Sequence, residues 1–104
     1  MLERMIDTHC HLFENGFGAV DDPALNAPGG ELAEYGRVRA RFGITRSLVI
    51  GYDEGRYAGN SDYISRLAAD RPWLLPVRYV SIADNAPLPR AMTAYPVDAS
   101  AAER

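Results

Sequence analysis

The chain has 104 residues, 47% hydrophobic and 24% charged, which excludes collagen-like, low-complexity and wholly disordered chains and leaves room for one compact domain at most. A net charge of -3 without like-charge runs argues against a nucleic-acid partner, and all eleven cations are arginine. Cys10 is the only cysteine, so an intrachain disulfide is excluded and a reducing, cytoplasmic setting is expected. No stretch approaches the ~18 apolar residues of a membrane span, so no membrane partner is expected either.

In chain order, Arg4-Met5-Ile6-Asp7-Thr8 leads into His9-Cys10-His11-Leu12-Phe13 and predicts a first strand. Residues 14–30 carry Gly16, Gly18, Gly29, Gly30, Pro23 and Pro28, a density of breakers that predicts one long loop beside that strand. Residues 31–42 place Leu32, Tyr35, Val38 and Phe42 on one helical face, with Gly43 as the stop. Residues 44–50 predict a second strand, and the run Leu48-Val49-Ile50 is of the kind buried on both faces of a parallel sheet. Ser61 is suited to cap a second helix carrying Ile64, Leu67 and Ala68, which Pro72 closes. Residues 74–80 predict a third strand, with Pro76 near its start.

Strand, helix, strand, helix, strand is the βαβ alternation of an α/β protein with parallel strands and right-handed crossovers. Residues 1–84 form the structured part on this reading. Residues 85–104, with Pro87, Pro89 and Pro96 and no apolar period, are expected to be an irregular or disordered tail.

The chemistry concentrates at Asp7, His9 and His11. Strict alternation puts all three on one face of the first strand and Cys10 on the other. Two residues along a strand rise ~6.6 Å. Two imidazoles at that spacing bridge to one metal at ~2.0–2.1 Å per nitrogen, so His9 and His11 are candidate paired ligands. Asp7 lies too far back to reach the same ion and is left the role of orienting a ligand imidazole. The alternative is that both histidines are ordinary hydrogen-bonded surface residues. Their place at the C-terminal end of the first strand of a βαβ series favours the metal, because such folds set their sites there.

Ile6-Asp7-Thr8-His9-Cys10-His11-Leu12-Phe13 resembles the strand-one signature of the amidohydrolase superfamily, in particular its amidohydrolase-related (amidohydrolase 2) metal-dependent hydrolases and decarboxylases. The order and spacing of residues 42–51, 60–64 and 71–73 are similar to that group's second strand, second helix and approach to the third strand. The resemblance covers about residues 4–83. It implies a TIM-type (β/α)8 barrel holding one or two divalent ions, commonly zinc, with His9 and His11 as strand-one ligands. The ligands that the family draws from strands four, five, six and eight have no counterpart here, and the chain holds only two histidines.

A (β/α)8 barrel takes about 250 residues, so 104 supply roughly three of its eight units. The chain is therefore expected to be an N-terminal fragment of such an enzyme, inactive in isolation, whose full form hydrolyses or decarboxylates a small carboxylate-bearing or cyclic substrate. Three parallel strands alone leave a sheet face and an edge uncovered, which invites self-association. A non-catalytic α/β module binding itself or a partner is the contrasting reading. A TatD-like metal-dependent nuclease is a second enzymatic one, resembling the chain from Asp7 to Leu12 but calling for a basic patch that is missing. Asp53 and Asp84 follow strands two and three and read as turn formers or caps. Arg78 is open between an interior and an exterior orientation. Trp73, Tyr63 and Phe42 read as packing, and Cys10 as a small buried thiol on the helix-facing side.

Overall fold

A computed structural model of the chain describes residues 4–80 and the pair Thr93–Ala94. Strand β1 (Met5–Cys10) is followed by a short helix α1 (Pro23–Asn26), helix α2 (Gly30–Phe42), strand β2 (Ile44–Ile50), a 3-10 turn (Gly55–Tyr57), helix α3 (Asn60–Ala68) and strand β3 (Leu74–Tyr79). A two-residue strand β4 (Thr93–Ala94) follows. The strands lie in the order β1-β2-β3-β4, and each pairs with the next in parallel. The chain is thus an α/β protein built on a parallel sheet. Of the stretch 85–104 expected to be irregular, Thr93 and Ala94 pair with Arg78 and Tyr79, and the rest lies outside the described residues.

Both long helices cover one face of the sheet. Val49, Leu74, Leu12, Tyr63 and Ile64 form the buried core, and Leu32 and Tyr35 of α2 and Leu67 and Ala68 of α3 pack against it. That sharing is what right-handed β-α-β crossovers between neighbouring strands produce. Each fully buried aliphatic side chain here contributes about 1.5–3 kcal/mol. The expectation that Leu48-Val49-Ile50 is buried on both faces holds for one face only. Ser47 and Val49 are sealed beneath the helices, Leu48 and Ile50 are half-buried on the other side, and Ile6 on β1 is 63% exposed. Among the described residues no helix covers that second face. No helix among them is long and apolar enough to cross a membrane.

Local chemistry accounts for the element ends. Gly43 takes a left-handed φ of 67° and donates its N–H to the Arg39 carbonyl, which closes α2 and frees the chain to enter β2. The long loop after β1 is not wholly irregular, contrary to its density of breakers. Asp22 accepts from the N–H groups of Ala24 and Leu25, and Pro23 opens the helix, a combination that starts one turn rather than breaking it. Ser61 does not cap α3. Gly59 precedes the helix, Asp53 Oδ1 accepts the Ser61 N–H at 2.7 Å, and Ser61 Oγ accepts from Tyr79 N at 2.9 Å, tying α3 to β3. Pro76 sits inside β3 opposite Val49 rather than at its start. The Trp73 and Val77 carbonyls accept from β2, so the missing N–H at Pro76 points to the other side, where pairing with β4 begins only at Arg78. Phe42 ends the apolar helical face but is 46% exposed, with the Arg41 guanidinium 5.3 Å from its ring.

Candidate metal centre

The site stands at the C-terminal end of β1 and depends on an irregularity there. From Asp7 to Cys10 β1 advances three residues while its partner β2 advances two, from Ser47 to Val49. This extra residue is a bulge, and it reverses the phase of side-chain alternation. Asp7 consequently does not share a face with the histidines. Its carboxylate turns toward α2, where Oδ2 accepts from the Tyr35 hydroxyl at 2.6 Å, while Oδ1 accepts from the His9 main-chain N–H at 3.0 Å. Asp7 therefore touches no imidazole, and the expected orienting contact to a ligand ring is replaced by one to the backbone.

His9 and His11 lie together on the opposite side. Their Nε2 atoms are 3.2 Å apart, and His11 Nδ1 is 2.8 Å from the Ile50 carbonyl at the end of β2. A carbonyl only accepts, so His11 carries its proton on Nδ1 and leaves its Nε2 lone pair facing His9 as an acceptor. The proton between the rings then belongs to His9 Nε2. Two nitrogens bound at ~2.0–2.1 Å to a tetrahedral ion lie about 3.3 Å apart, so a shared ion would need little movement of the rings, with the His9 proton moved to Nδ1 to free its Nε2 lone pair. A carbonyl behind a ligand imidazole is also the usual support for metal-binding histidines. The donor set thus fits a divalent ion as two of its ligands. Among the described residues no group of three or more histidine, cysteine, aspartate or glutamate side chains gathers to complete a site.

Cys10 points away from the pair and packs beside the core, its thiol directed at the Leu48 carbonyl 3.6 Å away. Burial pushes this thiol up to about 11; the Tyr35 hydroxyl opposes the shift and the nearby Asp7 charge reinforces it. Tyr35 itself is raised, chiefly by burial and next by the Asp7 carboxylate it donates to. A thiol held protonated is neither a nucleophile nor a soft metal ligand at neutral pH.

Aromatic rings flank the histidines. Phe13 stacks on His11 at 6.3 Å and meets Tyr57 at 4.6 Å and Phe17 at 5.2 Å. Tyr52 joins Tyr57 at 5.9 Å and Tyr79 at 5.9 Å. A cavity of about 570 Å³ opens beside His11, walled by Leu12, Phe13, Phe17, Val38 and Tyr52. Glu31 and Glu34 also line it, and no arginine among the described residues does. Glu31 holds the surrounding loop in shape, accepting from Phe13 N at 2.9 Å and from Phe17 N at 2.7 Å.

The remaining candidates from sequence are structural or lie elsewhere. Asp53 caps the start of α3, as a loop aspartate commonly does. Arg78 faces α3 rather than the uncovered side, donating to Asp62 at 2.8 Å and Ser65 at 3.1 Å. Asp84 lies outside the described residues. Trp73 and Tyr63 pack in or against the core, and Arg39 rests 3.7 Å from the Trp73 ring centre. Sequence reasoning did not single out Tyr35, Ser47, Glu31 or the Ile50 carbonyl. The first three carried only the signal of polar atoms in amphipathic segments, and a carbonyl carries none.

Comparison with protein-family profiles, with curated proteins and with solved structures yields no match for this chain.

Proposed function

We propose that the chain supplies the first βα units of an amidohydrolase-related, metal-dependent hydrolase or decarboxylase of (β/α)8 architecture, with His9 and His11 contributing two ligands to a divalent ion, zinc foremost. The observation that carries this reading is the 3.2 Å approach of the two Nε2 atoms with His11 locked by the Ile50 carbonyl. Consecutive parallel strands with both helices on one face support the barrel segment, because that is how βα units line a barrel wall. When bound, the metal supplies Lewis acidity and an activated water. The chain's own residues do the rest. Ile50 fixes the His11 tautomer, and the aromatic wall excludes water from one side of the site.

The cavity favours a small apolar or cyclic molecule. Its lining is mostly aliphatic and aromatic and, among the described residues, lacks an arginine to hold a phosphate backbone, which weighs against the nuclease reading. Further ligands and the proton-transfer base have no candidate among the described residues, so turnover is not expected from these residues alone. A cytoplasmic setting accords with a single free thiol at Cys10.

A second reading has its own observation. Met5 is 48% and Ile6 63% exposed on the edge strand β1, and this bare sheet face suits self-association.

Zinc titration of the chain, followed by the imidazole nitrogen signals, separates the two. The metal reading expects His9 and His11 Nε2 to shift together, and H9A or H11A to abolish the response. No shift at either ring up to millimolar zinc overturns it. Concentration-dependent association that persists in the H9A/H11A double variant supports the self-associating module instead.

A further inference from the structure

We propose that Asp7 is the positioning residue of the histidine pair, holding His9 against His11 through the main chain; the proposal rests on the reading of that pair as metal ligands. The bulge between Asp7 and Cys10 is what sends His9 and His11 to one side and Asp7 and Cys10 to the other. A bulge puts a strand out of step with its neighbour and needs its main-chain groups satisfied by something other than the regular ladder. Asp7 does this at His9, whose N–H it accepts at 3.0 Å.

The carboxylate is itself tied down from two other elements. The Tyr35 hydroxyl of α2 gives its single proton to Asp7 Oδ2 at 2.6 Å, so at 2.7 Å it accepts the proton of Ser47 Oγ. Ser47 is fully buried on β2 and is the residue directly opposite Asp7 in the strand register. The chain of contacts runs from β2 through α2 to Asp7 and ends on the peptide that carries the His9 ring. The two links through Tyr35 are part-buried, where a missing partner is costly and a complete network is stiff, and they hold the carboxylate in place for the exposed link to His9. A carboxylate used this way contributes geometry rather than charge to the metal site.

That distinction makes the test. In the metal-free 104-residue chain, D7A is expected to speed exchange of the His9 amide about tenfold or more and to remove the nuclear Overhauser contact between the two imidazoles, while the Val49 and Ile64 amides stay protected. D7N is expected to restore both signals. Its Oδ1 accepts from His9, and its Nδ2 donates to Tyr35, whose proton then turns to Ser47. Y35F, which frees one carboxylate oxygen, is expected to lie between.

Wild-type imidazole contact and His9 protection in D7A overturn the proposal. So does a D7N variant as disrupted as D7A, because charge and not placement would then be the requirement. Should D7A not fold, Y35F decides, and unchanged His9 exchange in that variant overturns it. Zinc added afterwards addresses the underlying reading separately. Failure of the wild type to bind zinc removes the metal and leaves the positioning result intact. A D7A chain that binds zinc as tightly as the wild type removes the positioning role, and a loss of about tenfold that D7N recovers supports it.

Discussion

The side-chain amide of Asn60 donates to the Leu12 carbonyl at 2.9 Å across forty-eight residues of sequence, and its oxygen accepts from Tyr52 N at 2.9 Å. One buried side chain thus joins the segment after β1, the segment after β2 and the start of α3. N60A leaves a carbonyl and an N–H without partners, and a loss of about 2–3 kcal/mol in unfolding free energy is expected from urea denaturation. N60D is expected to be no better, since a carboxylate accepts from Tyr52 but has nothing to offer Leu12.

Glu31 places both oxygens on the loop that walls the cavity, one on Phe13 N and one on Phe17 N. E31A is expected to cost about 1–2 kcal/mol and to accelerate hydrogen exchange at those two amides before any amide of β2 or β3. Uniform acceleration across the sheet would mean that the clamp is part of the global fold and not local to the loop.

Gly51 ends β2 where α3 approaches most closely. A Cβ there collides with Ser61 Oγ and comes within 3.1 Å of Ser61 Cα, while the Gly51 N–H is held by the Val77 carbonyl at 2.8 Å. Neither side can yield cheaply, because Ser61 is buried and its hydroxyl holds Tyr79 N. G51A is expected to lower stability by about 1–3 kcal/mol in thermal or denaturant unfolding. G51A combined with S61G is expected to recover part of that loss.

Cys10 yields a pH prediction. Its thiol titrates at about 11 in the folded chain against an ordinary 9.0, so the folded state holds a proton that the unfolded state releases between those values. The contribution of this thiol to stability is therefore level below pH 9 and is lost as pH rises toward 11, and C10S removes that part of the decline. Tyr35, also raised, adds a decline of the same sign that C10S leaves in place. The same shift makes the thiolate about a hundredfold scarcer near pH 8 than for an ordinary cysteine, so iodoacetamide labelling is expected to be slower by that order until denaturant is added.

The elements legible in the sequence are those built from local rules. Residues 44–50 read as a strand from their β-branched run and form one with the same bounds, and the periodicity of 31–42 matches α2 to within a residue. Asp22 and Pro23 carry the local signal that starts α1, and the surrounding glycines and prolines mask it. Ser61 looks like the cap of α3 in the sequence because the side chain that accepts there, Asp53, reaches the helix from a loop eight residues earlier.

By itself the sequence determined the βαβ order, the parallel character that follows from helical crossovers, and the paired imidazoles two residues apart at a strand end. These depend on periods of 3.6 and 2 and on spacing along one segment, all of which are local. Only the tertiary structure decided which way Asp7 faces, which nitrogen of His11 carries the proton and what supports each. The bulge between Asp7 and Cys10 arises from the register of β1 against β2, and the partners of the site, Tyr35, Ser47 and the Ile50 carbonyl, come from segments 28, 12 and 39 residues distant from the groups they contact. Register is a relation between strands, and one extra residue in it inverts every side chain beyond.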